Sequence, residues 1–353
     1  MISKEAFLNK IKTEVFPALI QAEKDRKKAL RQWVMIHGIV PALFLIFVVL
    51  GFHQIMPFSI DTTTPVVFIV FFFVLSVGAV ALDGSHSFAR HKKNKLTPLF
   101  LRFLGDLTPD SGTITESLLT HSCLFDKFRY MDHDDCISGT FDNTRFSAME
   151  LGLGTPSDKR TCSVFKGICI DIPMKTHISG YTLLYNTQIP MYVPILQPVK
   201  LEDISISGQY QIFSDNQLEA RVLLTPLFIE RLNNLKKCFN NKRVDVSFFD
   251  GHALFAIHTH QNLFEPFSLF KKTTDLETYA RYYDEIKSIY DLTKILYINN
   301  EMFPGNLSFN KKLYNQISTV KKSRLHYCEW LSFIPFFIFV IFLVMLFIRL
   351  AIS

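Results

Sequence analysis

The sequence predicts an α+β protein held at a bilayer: a mainly antiparallel sheet packed by helices in a cytoplasmic domain, plus three transmembrane helices. Three observations carry that expectation. Apolar runs without a single charge occupy residues 33–52, 65–82 and 330–348. Short β-favouring runs punctuated by Gly, Asn, Asp and Pro recur between residues 136 and 214. Apolar residues then return at helical spacing in residues 225–239 and 276–296.

Composition agrees with a membrane class. Of 353 residues, 48% are hydrophobic and 35 are Phe, beyond the usage of an ordinary soluble domain. The six Cys show no C-x-x-C and no short repeated spacing, so neither a disulfide framework nor a zinc site is signalled, and reduced buried thiols are expected.

Residues 1–32 read as an amphipathic cytoplasmic helix, with Leu8, Ile11, Val15 and Leu19 along one face and charged residues around the rest. Pro17 removes an amide donor in mid-pattern, so a kink or a break is expected there. This charged segment precedes the first apolar run, a layout unlike a cleavable signal peptide. The runs 33–52, 65–82 and 330–348 are each long enough to cross a hydrocarbon core of about 30 Å at about 1.5 Å per residue. Tyr327 and Trp330 stand where interfacial aromatics anchor a span, and a lone His37 near a helix end reaches headgroups more often than it binds a ligand.

Charge orients these spans. Eight Lys and Arg lie in residues 1–32, none in 53–64 and four in 83–95; Lys311, Lys312, Lys321, Lys322 and Arg324 precede the third run. The positive-inside rule then places the N-terminus and the main domain, residues 96–310, in the cytoplasm. That domain carries 20 basic against 25 acidic residues, a net charge of −5, so the overall +6 is juxtamembrane. Such a distribution suits the anionic lipid surface and argues against nucleic acid.

Within the domain, strands are expected at Cys136–Phe141, Thr144–Glu150, Thr161–Asp171, Ile178–Tyr185 and Tyr210–Ser214. Thr225-Pro226 is a helix start, a capping hydroxyl followed by Pro at the first helical position, and Phe228, Leu232, Leu235 and Phe239 form its apolar stripe. Val244–Phe249 and His252–His258 flank Asp250-Gly251, a pair suited to the positive φ angles of a two-residue hairpin turn. A long helix from Leu276 to Leu296, with Tyr279, Tyr283, Ile286 and Tyr290 on one face, should pack on the sheet.

Several fragments occur in a recognisable order: Ile11 to Pro17 with Glu23-Lys24-Asp25-Arg26, Ser122-Cys123-Leu124-Phe125, Asp134-Asp135-Cys136-Ile137-Ser138-Gly139 and Phe165-Lys166-Gly167. Val199-Lys200-Leu201-Glu202, Ser214 through Arg221, Leu224-Thr225-Pro226, Val246 through Gly251 and Leu263-Phe264-Glu265-Pro266 follow. Read together, the chain resembles the bacterial membrane family catalogued as domain of unknown function 3137, over most of residues 7–296; residues 330–348 lie outside the resemblance. It implies a multi-pass protein of the inner membrane and no activity.

Candidate chemistry is sparse. Met131-Asp132-His133-Asp134-Asp135-Cys136 concentrates metal-binding types, but consecutive strand residues alternate in direction and rarely converge on one ion. His258 and His260 share a face by their spacing without an evident third ligand. Gly152-Leu153-Gly154-Thr155-Pro156 lacks the Gly-Lys-Ser/Thr ending of a phosphate loop. Asp134, Asp135 and Glu150 offer paired carboxylates for hydrolysis, or equally for holding a turn. No catalytic, cofactor or metal residue is therefore assigned. The reading ranks first a membrane-anchored cytoplasmic domain that binds a protein or lipid partner, then a membrane-tethered, hydrolase-like enzyme, then a transporter.

Overall fold

A computed structural model describes residues 1–35, 92, 95–109, 114–157, 160–174, 180–187, 196–201, 209–259 and 267–300. The expected spans at 65–82 and 330–348 lie outside the described residues, as does the span at 33–52 beyond Met35. Among the described residues no helix is long and apolar enough to cross a membrane. The chain divides into two compact units, residues 1–105 with 264–284 and residues 106–263 with 285–353.

The described residues of the first unit are mainly helical. Ser3 caps the helix Lys4–Lys10 by accepting from the Ala6 amide, a π-helical turn follows at Ile11–Val15, and the α-helix Phe16–Val34 continues from there. The expected break at Pro17 falls one turn early, and Pro17 itself takes a place in the first turn of the new helix, where a missing amide costs nothing. The π turn also explains the buried face. Phe7, Ile11, Val15 and Leu19 recur every four residues, and each four-residue step overshoots an α-helical turn by about 40°. The wider turn winds that drift back, so all four stay buried. Phe7 meets Tyr283, while Phe100 from a helical stretch at 95–104 packs on Phe267 and Tyr279.

Among the described residues the second unit forms a nine-stranded sheet in which every neighbouring pair is antiparallel. Its strands are β1 (Asp106–Pro109), β2 (Tyr130–Phe141), β3 (Thr144–Ser157), β4 (Arg160–Pro173), β5 (Thr182–Tyr185), β6 (Gln197–Pro198), β7 (Gln211–Ser214), β8 (Val244–Phe249) and β9 (His252–His258), in spatial order β1-β2-β3-β4-β9-β8-β5-β7-β6. The β8–β9 hairpin thus stands between β4 and β5, which are neighbours in sequence. Asp250 and Gly251 turn it with φ angles of 45° and 71°, pairing Phe249 with His252 and Val244 with Ile257. β2 and β3 run longer than propensity suggests, through Asp132, Gly152 and Gly154, because cross-strand pairing overrides weak local preference.

Helices and a loop close the two faces. Thr225 caps the helix Pro226–Cys238, and its Phe228 packs on Phe248 and Phe255 of the hairpin. On the opposite face the short helix Glu116–His121 and the residues after it cover a cluster that includes Met149, Leu151, Phe165, Leu183, Phe249 and Leu254. That loop is pinned by two buried hydroxyls: Tyr185 donates to the Cys123 carbonyl at 2.8 Å and Ser247 to the Ser122 carbonyl at 2.7 Å. The last described helix, Leu276–Asn300, belongs to the first unit through Asp284 and to the second beyond it. In the second unit its Tyr290 meets Phe141 edge-on and donates to Asp142.

Candidate functional site

Register brings Asp134, Asp135 and Glu150 together. His133 pairs with Leu151 and Cys136 with Met149, so the bulged Asp134 and Asp135 face the one intervening residue, Glu150. Asp134 is exposed, while Asp135 and Glu150 are half-buried. Burial that separates an acid from a base is lacking at Asp134, and the bulge bends β2 at this point. Asp132 and His133 are exposed, whereas Cys136 turns into the core. Gly152 through Pro156 are part of β3 rather than a loop. His260 lies outside the described residues. Among the described residues no three of His, Cys, Asp and Glu converge to hold a metal ion.

Fragments shared with the resembled family do structural work. Phe165 packs on Phe125 and on His258. Gly167, at φ 155°, lies where a Cβ would stand 1.9 Å from the Ile257 carbonyl oxygen, so the approach of β4 to β9 demands glycine. Asp215 accepts from the Tyr181 amide at 2.8 Å, and Asn216 caps the helix Gln217–Leu223 through the Glu219 amide.

A buried charge cluster of the second unit centres on Asp245, which is 1% exposed. Strand alternation puts Arg243, just before β8, on one face with Asp245, and the hairpin register places His258 diagonally across from Asp245. Arg243 donates through Nε to Oδ1 at 3.1 Å and through Nη2 to Oδ2 at 2.6 Å; the Asn186 amide reaches Oδ1 at 2.9 Å, and His258 Nε2 lies 3.0 Å from Oδ2. Burial alone pushes this carboxyl upward, but His258 and Arg243 outweigh it and hold it well below the usual range. The ionised Asp245, after burial itself, helps to push the Tyr210 phenol up and keep it protonated. Sequence reasoning missed this cluster because its members lie 2, 13 and 59 residues from Asp245. With its acceptor sites occupied, the carboxylate is a tie between β8, β9 and the end of β5.

The first unit holds a second tie. Arg26 donates to both oxygens of Glu23 at 2.8 and 2.7 Å and to the Leu269 carbonyl at 2.9 Å. Glu23 Oε2 also accepts from the Thr273 amide at 2.9 Å, and Tyr279 donates to the Thr273 carbonyl at 2.6 Å. The Arg26 guanidinium, against burial and with help from Thr273, holds the Glu23 carboxyl down at about 2. Beyond this tie lies an exposed apolar end: Val34 and Met35 are 43% and 58% exposed, and the Trp33 ring meets Phe270 edge-on at 5.3 Å. Lys27, Lys28 and Arg31 are exposed on the same helix.

An antiparallel nine-stranded sheet covered by helices defines an α+β protein. Residues 163–297 match the family model described as protein of unknown function (DUF3137), the family that the sequence resembles. Among curated proteins none matches the chain. The crystal structure of the mycobacterial trehalose monomycolate transport factor A, TtfA, is similar at 9% identity and a TM-score of 0.30, over 53% of this chain and 93% of that one.

Proposed function

We propose that this protein is anchored in the inner membrane by the apolar runs at 33–52, 65–82 and 330–348, and that its cytoplasmic α+β domain binds a protein or lipid partner there. The observation that carries the reading is the end of the helix Phe16–Val34. Its last residues leave Val34 and Met35 exposed where the charge-free run begins, with Lys27, Lys28 and Arg31 exposed one to two turns behind. Partner binding is supported by Leu218, which is 78% exposed on the helix Gln217–Leu223, and by Leu227, 44% exposed on the next helix.

Co-purification of the tagged, detergent-extracted protein from its native membrane tests the reading. A protein or lipid recovered with the wild type and lost from a Leu218→Glu/Leu227→Glu variant supports it. Identical recoveries from both, or release of the wild type from membranes by alkaline carbonate, count against it.

A further inference from the structure

The loop that follows residue 266 presents an aromatic side chain to the outside while its own backbone is held rigidly. Phe267 and Leu269 are buried, the Leu269 carbonyl is held by Arg26 and the Thr273 amide by Glu23. Between these fixed points Phe270 is 59% exposed, its amide bonded to Ser268 Oγ at 3.3 Å and its ring against the edge of Trp33. Lys271 and Lys272 follow, both exposed. A solvent-facing loop gains nothing from a clamped, outward Phe, whereas an aromatic residue beside Trp and next to paired lysines matches the chemistry of a headgroup layer.

We infer that Ser268–Lys272 is a lipid-insertion loop: Phe270 enters the boundary between headgroups and acyl chains of an anionic leaflet, and Lys271 and Lys272 engage the lipid phosphates. The inference rests on the membrane-anchored reading above and names a contact of that anchor. Two features select a bilayer as the occupant. Phe270 touches Trp33, the first residue of a bilayer-length run without charge. The exposed charges along the helix beside it, Lys27, Lys28 and Arg31, have the sign that anionic lipids attract.

The test uses the full chain in phosphatidylcholine–phosphatidylglycerol vesicles. Its two Trp are replaced (Trp33→Phe, Trp330→Phe) and a reporter is introduced by Phe270→Trp. Acyl chains brominated near the headgroup should quench the reporter by about half or more, with aqueous iodide nearly inert. Lys271→Glu/Lys272→Glu should lower the bromolipid quenching about two-fold. Quenching by iodide alone puts the loop in water, and resistance to both quenchers puts it against protein such as a second copy; either result overturns the inference. Flotation of the same samples separates the two levels: a chain that floats with its reporter in water refutes only the loop, and one that fails to float refutes the anchor as well. Should the triple variant misfold, Trp33 in a Trp330→Phe background serves as reporter. Loss of its bromolipid quenching on Phe270→Ser/Lys271→Glu/Lys272→Glu is then expected, and unchanged quenching overturns the inference.

Discussion

Replacing Glu23 by Gln tests how the first unit is held together. The carboxyl titrates at about 2 in the folded chain against an ordinary value of 4.5, a difference of 2.5 units. At about 1.36 kcal/mol per unit, ionisation of this group favours the folded state by roughly 3 kcal/mol at neutral pH. The side chain is 13% exposed but the pair lies close to the surface, so solvent screening discounts that to about 2 kcal/mol. Gln keeps an acceptor for the Thr273 amide but leaves the buried Arg26 without a counter-charge, so the variant should lose about 2–3 kcal/mol. The sign of the pH dependence follows from a lowered folded-state value. The contribution is complete above about pH 5, is lost as pH falls from about 4.5 toward 2, and is missing from the variant throughout. Hydrogen exchange on the full chain, read in peptides covering 16–34 and 267–284, checks this, with peptides from the β8–β9 hairpin as an internal reference. A protection loss below about 0.5 kcal/mol at pH 7, or wild type and variant weakening in parallel between pH 5 and 3, would refute the reasoning.

Asp245→Asn should cost about 3 kcal/mol, since it strips the charge that Arg243 and His258 are arranged around; urea unfolding of the second unit that shifts by less than about 1 kcal/mol contradicts it. Because the Asp245 carboxyl is also held low, its contribution is present above about pH 4 and disappears only below that, so in urea unfolding the wild type should lose stability more steeply than Asp245→Asn as pH falls below about 4. Gly167→Ala should cost more than about 2 kcal/mol by forcing β4 from β9, visible as faster exchange at residues 167–173; an unchanged strand would mean the backbone yields cheaply. Thr225→Ala removes the cap on Phe228 and should lower stability by about 1 kcal/mol, measurable as a small drop in unfolding midpoint.

Legibility in the sequence followed the range of the interaction. The β8–β9 hairpin is read to the residue because two turn positions with positive φ fix its register. The helix after Thr225 is read as well, because cap, proline and apolar stripe all lie on or beside one thirteen-residue helix. Glu116–His121 and Gln217–Leu223 escape notice since fewer than two turns give no periodicity. β2 and β3 are recognised only in part, the halves before Cys136 and after Glu150 carrying Gly, Asp and Pro that strand propensity disfavours, whereas β4 is read to within two residues at each end. Nothing local announces Asp245 as a hub, for an Asp in a strand looks like a solvent-facing residue until His258 and Asn186 arrive. Glu23 and Arg26 could be seen as neighbours on a helix, but Leu269 and Thr273, about 250 residues away, give the pair its meaning.

The insertion of the late hairpin between β4 and β5 sets a timetable for synthesis. When Pro173 leaves the ribosome the β1–β4 meander has its partners, but the outer edge of β4 must wait for His258, 85 residues later. At about 5–20 residues per second that delay is roughly 4 to 17 s, long beside the microseconds in which a hairpin closes. During it the nascent chain displays an apolar strand, Ile168, Ile170 and Ile172 included, with unpaired amides and carbonyls along one side. A chain truncated anywhere between these two points carries a permanent template for pairing with its own copies.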